Sequence, residues 1–177
     1  MSGPIWLDAG DGSLVWEPRE GGPPLWRHFG PRVAQGSLPL LGDTRTPASY
    51  SLDDDVPFST APPAGLGWFG PAVVQLRRNG LALPVQFTTV EVKADSSRVR
   101  IVSTDAIAGV ELEQEFAVVG DAFVCRSIVR NIGSDTFDVD WLASVVLPLP
   151  ASARQIVSWC GRHNAELLEC REAMPEQ

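Results

Sequence analysis

The sequence predicts an all-β protein, an antiparallel two-sheet sandwich with little helix. Three observations lead to this class. Apolar and polar residues alternate along several short segments after residue 85, the period-two pattern of strands buried on one face. The 15 prolines and 16 glycines break most of the first half into pieces too short for helices. Short turns separate the alternating segments, as in sandwiches built from hairpins.

The first half contains short strands and one long irregular stretch. Trp6 and Leu7 are expected to pair with residues 14–16 around a Gly-Asp-Gly turn. "EGGPPLWRHFG" reads as a turn followed by a strand. Residues 36–70 have no periodic pattern and carry an acidic patch. A loop of this length inside a domain usually has a function or a partner.

The second half is a series of predicted antiparallel strands. "FTTVEVKAD" and "SRVRIVSTD" flank a Ser-Ser turn, and a Gly-Asp turn joins "GVELEQEFAV" to "AFVCRSIVRN". The last segment, "TFDVDWLASVVLPLP", ends in prolines. One face of "GVELEQEFAV" carries Val110, Leu112, Phe116 and Val118. The opposite face carries Glu111, Glu113 and Glu115, which we interpret as a solvated ladder.

Length and charge limit the classes of function. The 177 residues suffice for a single domain, residues 1–177. The net charge of −8 argues against nucleic acid or an anionic membrane surface as a partner. Because the N-terminus lacks the basic and apolar regions of a signal peptide, we expect a cytoplasmic protein with reduced thiols.

The stretch "WCGRHNAELLEC" raises the question of a metal or thiol site. Cys160 and His163 have a C-x-x-H spacing, and Cys170 could be a third ligand. Structural zinc normally needs two close pairs, and only one is present, so we expect neither metal nor cofactor. Cysteine nucleophiles and their bases usually come from distant positions, which argues against a Cys160–His163 pair and for no catalytic residue.

Carboxylates and aromatic residues offer weaker candidates. Residues 53–55 are three adjacent aspartates in the irregular stretch, where nothing nearby would separate their pKa values, so we read them as a solvated acidic loop. Of the six tryptophans, Trp141 lies between Val139 and Ala143 and is expected to pack in the core. Trp68, in a Gly-rich loop, is the one expected to meet solvent or a partner.

Several segments resemble, in order, the N-terminal domain of α-galactosidases of glycoside hydrolase family 36. They are "WRHFGPRV", "ASYSLDDDVP", "GPAVVQLRRNG", the run from Ala108 to Pro150 and "GRHNAE". In the family these correspond to an early Trp-Gly segment, Phe-Ser-Leu-Asp, a Pro-Ala strand ending in Asn-Gly, a Gly-Leu-Glu-Val hairpin and a closing Gly-x-Trp-x-x-Glu. The resemblance covers nearly the whole chain.

The resemblance implies a β-supersandwich of the galactose-mutarotase-like type that precedes a catalytic (β/α)₈ barrel. In the family both catalytic aspartates lie on the barrel, so this chain alone is expected to be inactive. The chain would be either the separated N-terminal domain of such an enzyme or a protein that has lost its catalytic half. Its implied partners are the barrel of the same polypeptide and further copies in a homo-oligomer.

The resemblance also implies only indirect contact with a galactoside substrate. Loops of this domain reach a neighbouring subunit's active site in some members, and residues 43–70 are the candidates here. Within them Asp53 and Trp68 are the expected substrate-binding residues. The family's Gly-Asp-Phe-Arg is replaced by Gly-Trp-Phe-Gly at residues 67–70, so the roles of that Asp and Arg do not transfer. His163 likewise stands where the family has Trp.

Two alternatives and one conflict remain. A free-standing carbohydrate-binding sandwich would need a groove lined by exposed aromatics, Trp68 first. A thiol–metal protein would need bound zinc. The conflict concerns "NAELLECREAM", residues 164–174, whose composition favours a short helix, whereas the resemblance implies an extended segment.

Overall fold

The structure is a computed structural model that describes residues 3–35, 57–64, 67–68, 70–149, 153–163 and 165–174. The strands it describes are β1 (Ile5–Ala9), β2 (Gly12–Glu17), β3 (Leu25–Pro31), β4 (Val74–Arg78), β5 (Leu81–Leu83), β6 (Thr88–Ala94), β7 (Arg98–Asp105), β8 (Val110–Val119), β9 (Ala122–Asn131), β10 (Asp138–Leu142), β11 (Gln155–Arg162) and β12 (Ala165–Ala173). Every ladder between them is antiparallel. The predicted all-β class is confirmed.

The strands form four sheets. The largest has the order β6-β7-β8-β9, and two three-stranded sheets have the orders β1-β2-β3 and β10-β4-β5. The fourth sheet is the hairpin β11-β12. The four-stranded sheet contributes side chains to both hydrophobic clusters of the protein, and each cluster also contains one of the three-stranded sheets. The four-stranded sheet is therefore the layer against which both three-stranded sheets pack.

Strand β8 links the two clusters. Its residues Val110 and Leu112 pack with Val74 and Leu76 of β4, whereas Phe116 packs in the other cluster. In that second cluster the Phe116 ring lies 4.8 Å from Trp16 and 5.8 Å from Trp26, between ring centroids. The predicted inward face of β8 is thus confirmed. Gln114, which sits between the clusters, is also buried.

Predicted turns occur where the sequence placed them. Gly10 and Gly120 adopt φ angles of +51° and +61° in the turns β1–β2 and β8–β9. The turn between β6 and β7 is held by Asp95, whose carboxylate accepts hydrogen bonds from the backbone N–H of Ser97 and Arg98 at 2.7 and 2.9 Å. Those hydrogen bonds, the one from the Ser97 backbone foremost, lower the pKa of Asp95.

The helix that composition favours at residues 164–174 is wrong, and the extended segment implied by the resemblance is confirmed. Residues 165–173 form β12, which pairs with β11 from Gln155↔Ala173 to Arg162↔Ala165. Helix propensities differ by only about 0.7 kcal/mol among ordinary residues, so the hydrogen bonds of the β11–β12 ladder outweigh them. A helix here would also lack an apolar surface on which to bury one face.

The predicted packing of Trp141 in the core is also wrong. Its side chain is 52% exposed, and Val139 is 48% exposed. The register of β10 against β4 shifts between Val139 and Trp141, which interrupts the alternation on which the prediction rested. Strand β10 is also an edge strand of its sheet, with Leu142 as its one residue that is not exposed.

Candidate interaction surface

The segment before β4 holds an aromatic pair on the surface. The ring of Trp68 stacks on Phe58 with centroids 5.2 Å apart and an interplanar angle of 26°. The Trp68 indole N–H donates to the Pro71 carbonyl at 3.0 Å. Phe58 is in turn tied to β3, because its carbonyl accepts the backbone N–H of Trp26 at 2.9 Å. Trp68 is therefore half-buried and held in place, with part of its surface open to solvent.

Of the two predicted substrate-binding residues, the structure places one. Trp68 lies in the aromatic pair, and its proposed contact with substrate stays a prediction. Asp53 lies outside the described residues. The described part of the irregular stretch is joined to β3 by a single β-bridge between Ser59 and Leu25.

A second tryptophan, Trp141, is exposed and is anchored to the same short backbone stretch as Trp68. The indole N–H of Trp141 donates to the Ala72 carbonyl at 3.2 Å, one residue after the carbonyl that holds Trp68. Beside Trp141 on β10, Asp140 forms an ion pair with Arg77 of β4 at 2.6 Å. Residues 71–72 therefore anchor two indoles, and exposed charged groups flank the second.

The hairpin β11–β12 carries five of the exposed large apolar side chains found among the described residues. The exposed apolar side chains are Ile156, Val157, Trp159, Leu167 and Leu168. Trp159 and Leu168 lie on opposite faces, because Trp159 pairs with Glu169 and Cys160 pairs with Leu168. Strands of one sheet normally bury at least one face, whereas this hairpin leaves apolar residues open on both faces.

The two cysteines of "WCGRHNAELLEC" lie on this hairpin. Cys160 of β11 and Cys170 of β12 are diagonal neighbours on one face, since Ser158 pairs with Cys170. A hydrogen bond between the two thiols is the first cause of a raised pKa at Cys160, followed by burial. His163 follows the end of β11 in the turn. Among the described residues no group of three His, Cys, Asp or Glu side chains is arranged to hold a metal ion.

The outward face of the four-stranded sheet is an ion-pair network rather than a row of independently solvated glutamates. Glu113 of β8 accepts hydrogen bonds from Arg100 at 2.9 Å and from Arg130 at 2.8 Å. Arg100 also pairs with Glu91, and Arg130 with Glu111. The hydrogen bond from Arg100 and then that from Arg130 lower the pKa of Glu113 to about 2. The alternation of β8 predicted the face but not the arginines on neighbouring strands that fill it.

These features define a β-sandwich domain that carries exposed apolar side chains and two anchored indoles. Within the described ranges, no helix is long and apolar enough to cross a membrane.

Comparison with known proteins agrees with this class. The sequence pattern described as "Glycosyl hydrolase family 36 N-terminal domain" matches residues 22–176. The chain belongs to this family. It is 27% identical over 123 residues to a protein from Escherichia coli described as "Alpha-galactosidase", an alignment that covers 69% of this chain and 17% of the relative.

Solved structures confirm the fold. A GH36 alpha-galactosidase, AgaA, from Geobacillus stearothermophilus superposes with a TM-score of 0.80 at 16% identity, over 98% of this chain and 28% of that one. The alpha-galactosidase from Lactobacillus brevis superposes with a TM-score of 0.75 at 17% identity, over 97% of this chain and 27% of that one. The chain thus spans about a quarter of the length of these proteins.

Proposed function

We propose that this chain is the non-catalytic N-terminal part of an α-galactosidase-like glycoside hydrolase and that it packs on the catalytic barrel of the same polypeptide. The observation that carries the proposal is the β11–β12 hairpin, whose two faces expose Trp159 at 63% and Leu168 at 55%. Apolar surface of this extent is stable in water mainly when another element covers it. The relatives are about three to four times as long as the matched region, which leaves room for that element.

A role in oligomer assembly and in the substrate pocket belongs to the same proposal. The anchored pair of Trp68 and Phe58 supports it, because a stacked and hydrogen-bonded indole presents a rigid face at little entropic cost. Sugar-binding sites favour such faces, which stack on the apolar C–H groups of the pyranose ring. In this proposal the domain contacts the galactoside at the edge of a pocket whose catalytic groups lie on the barrel.

The reading frame beyond the codon for Gln177 tests the proposal. We expect it to continue into a (β/α)₈ barrel with aspartates at the carboxyl ends of its strands, the position of catalytic groups in such barrels. We also expect the full-length protein to hydrolyse para-nitrophenyl α-galactoside. A stop codon immediately after Gln177 would contradict the proposal.

The second candidate function is a free-standing carbohydrate-binding module, and the two indoles held by residues 71–72 favour it. Titration of the chain with melibiose, followed by tryptophan fluorescence, should then saturate for the wild type but not for Trp68→Ala. Trp159→Ala, on the β11–β12 hairpin, is the matched control and should titrate as the wild type does. No saturation in the wild type would remove this candidate.

A further inference from the structure

An open cavity of about 720 Å³ is lined by residues that include neither the hairpin nor the two indoles. Its wall is formed by Arg78 at the end of β4, the β5–β6 connection, Thr88 of β6, Thr104 of β7 and the turn at residues 105–108. Three separate chain segments, residues 78, 83–88 and 104–108, thus converge on one concave surface. Ligand sites typically have this origin.

The frame of the cavity is fixed by Asp105. Its carboxylate accepts the backbone N–H groups of Ile107 and Ala108, both at 2.9 Å, and that of Gln86 at 2.8 Å. These bonds join the β7–β8 turn to the β5–β6 connection. Because three backbone donors already occupy the carboxylate, Asp105 positions the wall and has little capacity left for a ligand's donors.

Arg78 differs from Asp105 because most of its N–H donors have no hydrogen-bond partner among the described residues. Its Nη2 donates to the Ala108 carbonyl at 2.6 Å, which holds the guanidinium against the wall. Its Nε is buried and has no hydrogen-bond partner in the described part of the chain. The ion pairs found among the described residues do not include Arg78 either. A guanidinium stays charged in proteins, and its Nη1 group, for which no hydrogen bond is found among the described residues, can donate to a ligand in the cavity.

Two hydroxyl groups add to the donors of the same wall. Thr88 and Thr104 stand directly opposite each other in the β6–β7 ladder. The neighbouring pair, Thr89 and Ser103, bond to each other at 3.0 Å, whereas the hydroxyls of Thr88 and Thr104 are not engaged within the described residues. The cavity wall therefore carries one guanidinium and two hydroxyls, beside the Asp105 carboxylate whose oxygens already accept three backbone N–H groups.

We propose that this cavity binds a small oxyanion, a carboxylate or phosphate group, through Arg78 with Thr88 and Thr104 as flanking donors. Carboxylate and phosphate oxygens match the planar donor array of arginine. The net charge of −8 opposes general attraction of anions, so binding must come from the local arrangement. None of the cavity residues belongs to the hairpin on which the barrel contact is proposed.

Nuclear magnetic resonance titration of the ¹⁵N-labelled chain tests this site. Inorganic phosphate and acetate are added in separate titrations, with ionic strength held constant by sodium chloride. We expect saturable shifts of the Gln86 and Ala108 amides with at least one anion. Saturation by phosphate alone identifies a phosphate site, by acetate alone a carboxylate site, and by both a general oxyanion site.

Matched variants assign the effect. Arg78→Gln should weaken binding at least about tenfold, the loss expected for a charge-assisted hydrogen bond. Arg77→Gln removes the same charge from the adjacent residue, whose partner is Asp140 outside the cavity, and should change the affinity less than about twofold. The Thr88→Val, Thr104→Val double variant keeps the β-branched shape and should also weaken binding. It tests the site independently if Arg78→Gln does not fold. Absence of saturable shifts with both anions, or equal losses in the two arginine variants, would overturn the proposal.

Discussion

At the scale of single residues, Glu113 has the most unusual environment. Its side chain is 13% exposed and lies between Arg100 and Arg130, whose side chains are 33% and 42% exposed. Both arginines stabilise the carboxylate form, so its pKa of about 2 in the folded protein lies below the ordinary value of 4.5. A lowered folded-state pKa means that the charged form contributes to stability, and that this contribution is lost on protonation.

The first prediction concerns the pH dependence of stability. In the wild type the contribution of Glu113 is present above pH 4.5 and is lost as the pH falls from 4.5 towards 2. Glu113→Gln should therefore lower the free energy of unfolding at pH 7 by about 1–2 kcal/mol, less than the pKa shift alone implies because the arginines are partly solvated. The difference from wild type should shrink towards pH 2. Urea unfolding at several pH values measures it.

The control for this prediction lies on the same face of β8. Glu115 forms an ion pair with Arg98 at 3.6 Å, and its side chain is 29% exposed. Glu115→Gln should change the free energy of unfolding by no more than about 0.5 kcal/mol. Equal effects of the two substitutions would contradict the importance assigned to the network.

The second prediction concerns Gly109, at the start of β8. Its φ angle is +69°, and a Cβ atom there would lie 2.8 Å from the Cα of Gly133. Gly109→Ala therefore adds backbone strain and forces two segments apart, and should destabilise the protein by about 2–4 kcal/mol in urea or thermal unfolding.

Gly120 is the matched control, because it separates backbone strain from crowding. Its φ angle is +61°, and a Cβ atom added there would meet nothing within 4 Å. Gly120→Ala should cost about 1–2 kcal/mol. A larger loss of stability at Gly120 than at Gly109 would show that the close approach of Gly109 and Gly133 is unimportant.

At the scale of elements, the hairpin β11–β12 is open on both faces, and every residue of β11 is exposed. Hydrogen exchange depends on the free energy of local opening, which is small where few apolar groups are buried. The third prediction is that amides of β11 and β12 exchange much faster in the isolated chain than those of β8, whose inward face spans both clusters. Mass-spectrometric exchange measures both. Equal protection would mean that the hairpin is stable without a cover.

How far the sequence predicts an element depends on what that element packs against. For β8 the alternation identified its buried face correctly, because a period of two has physical meaning where one face is covered. For β12 and Trp141 the residue pattern alone misled. β12 lacks a buried face, and the bulge in β10 shifts the side-chain alternation. Glu113 pairs with Arg100 of β7 and Arg130 of β9, so the pattern within β8 does not predict its partners.

At the scale of the whole molecule, the exposed hairpin and the length of the relatives lead to the same proposal. Under this proposal the domain is one component of a larger enzyme, and the hairpin is the surface that joins it to the catalytic component. The family resemblance could be read from the order of short motifs because those motifs mark turns and buried strands. Which residues contact substrate depends on the assembled protein, so Trp68 and Asp53 stay predictions.

The fourth prediction assigns the joining surface to specific residues. Leu168→Ser removes an exposed apolar side chain from the hairpin. Leu81→Ser removes an apolar side chain that is 75% exposed on β5, outside the hairpin. Central apolar residues of an interface contribute about 1–2 kcal/mol or more, so Leu168→Ser should weaken association with the catalytic part about tenfold or more. Leu81→Ser should leave it unchanged.

The most direct measurement is co-elution of this 177-residue chain with the separately produced remainder of its reading frame on size-exclusion chromatography. We expect a stable complex of the two parts, disrupted by Leu168→Ser and Trp159→Ser together and retained by Leu81→Ser. Separate elution of the two wild-type parts at micromolar concentration would contradict the claim that this domain packs on the catalytic barrel.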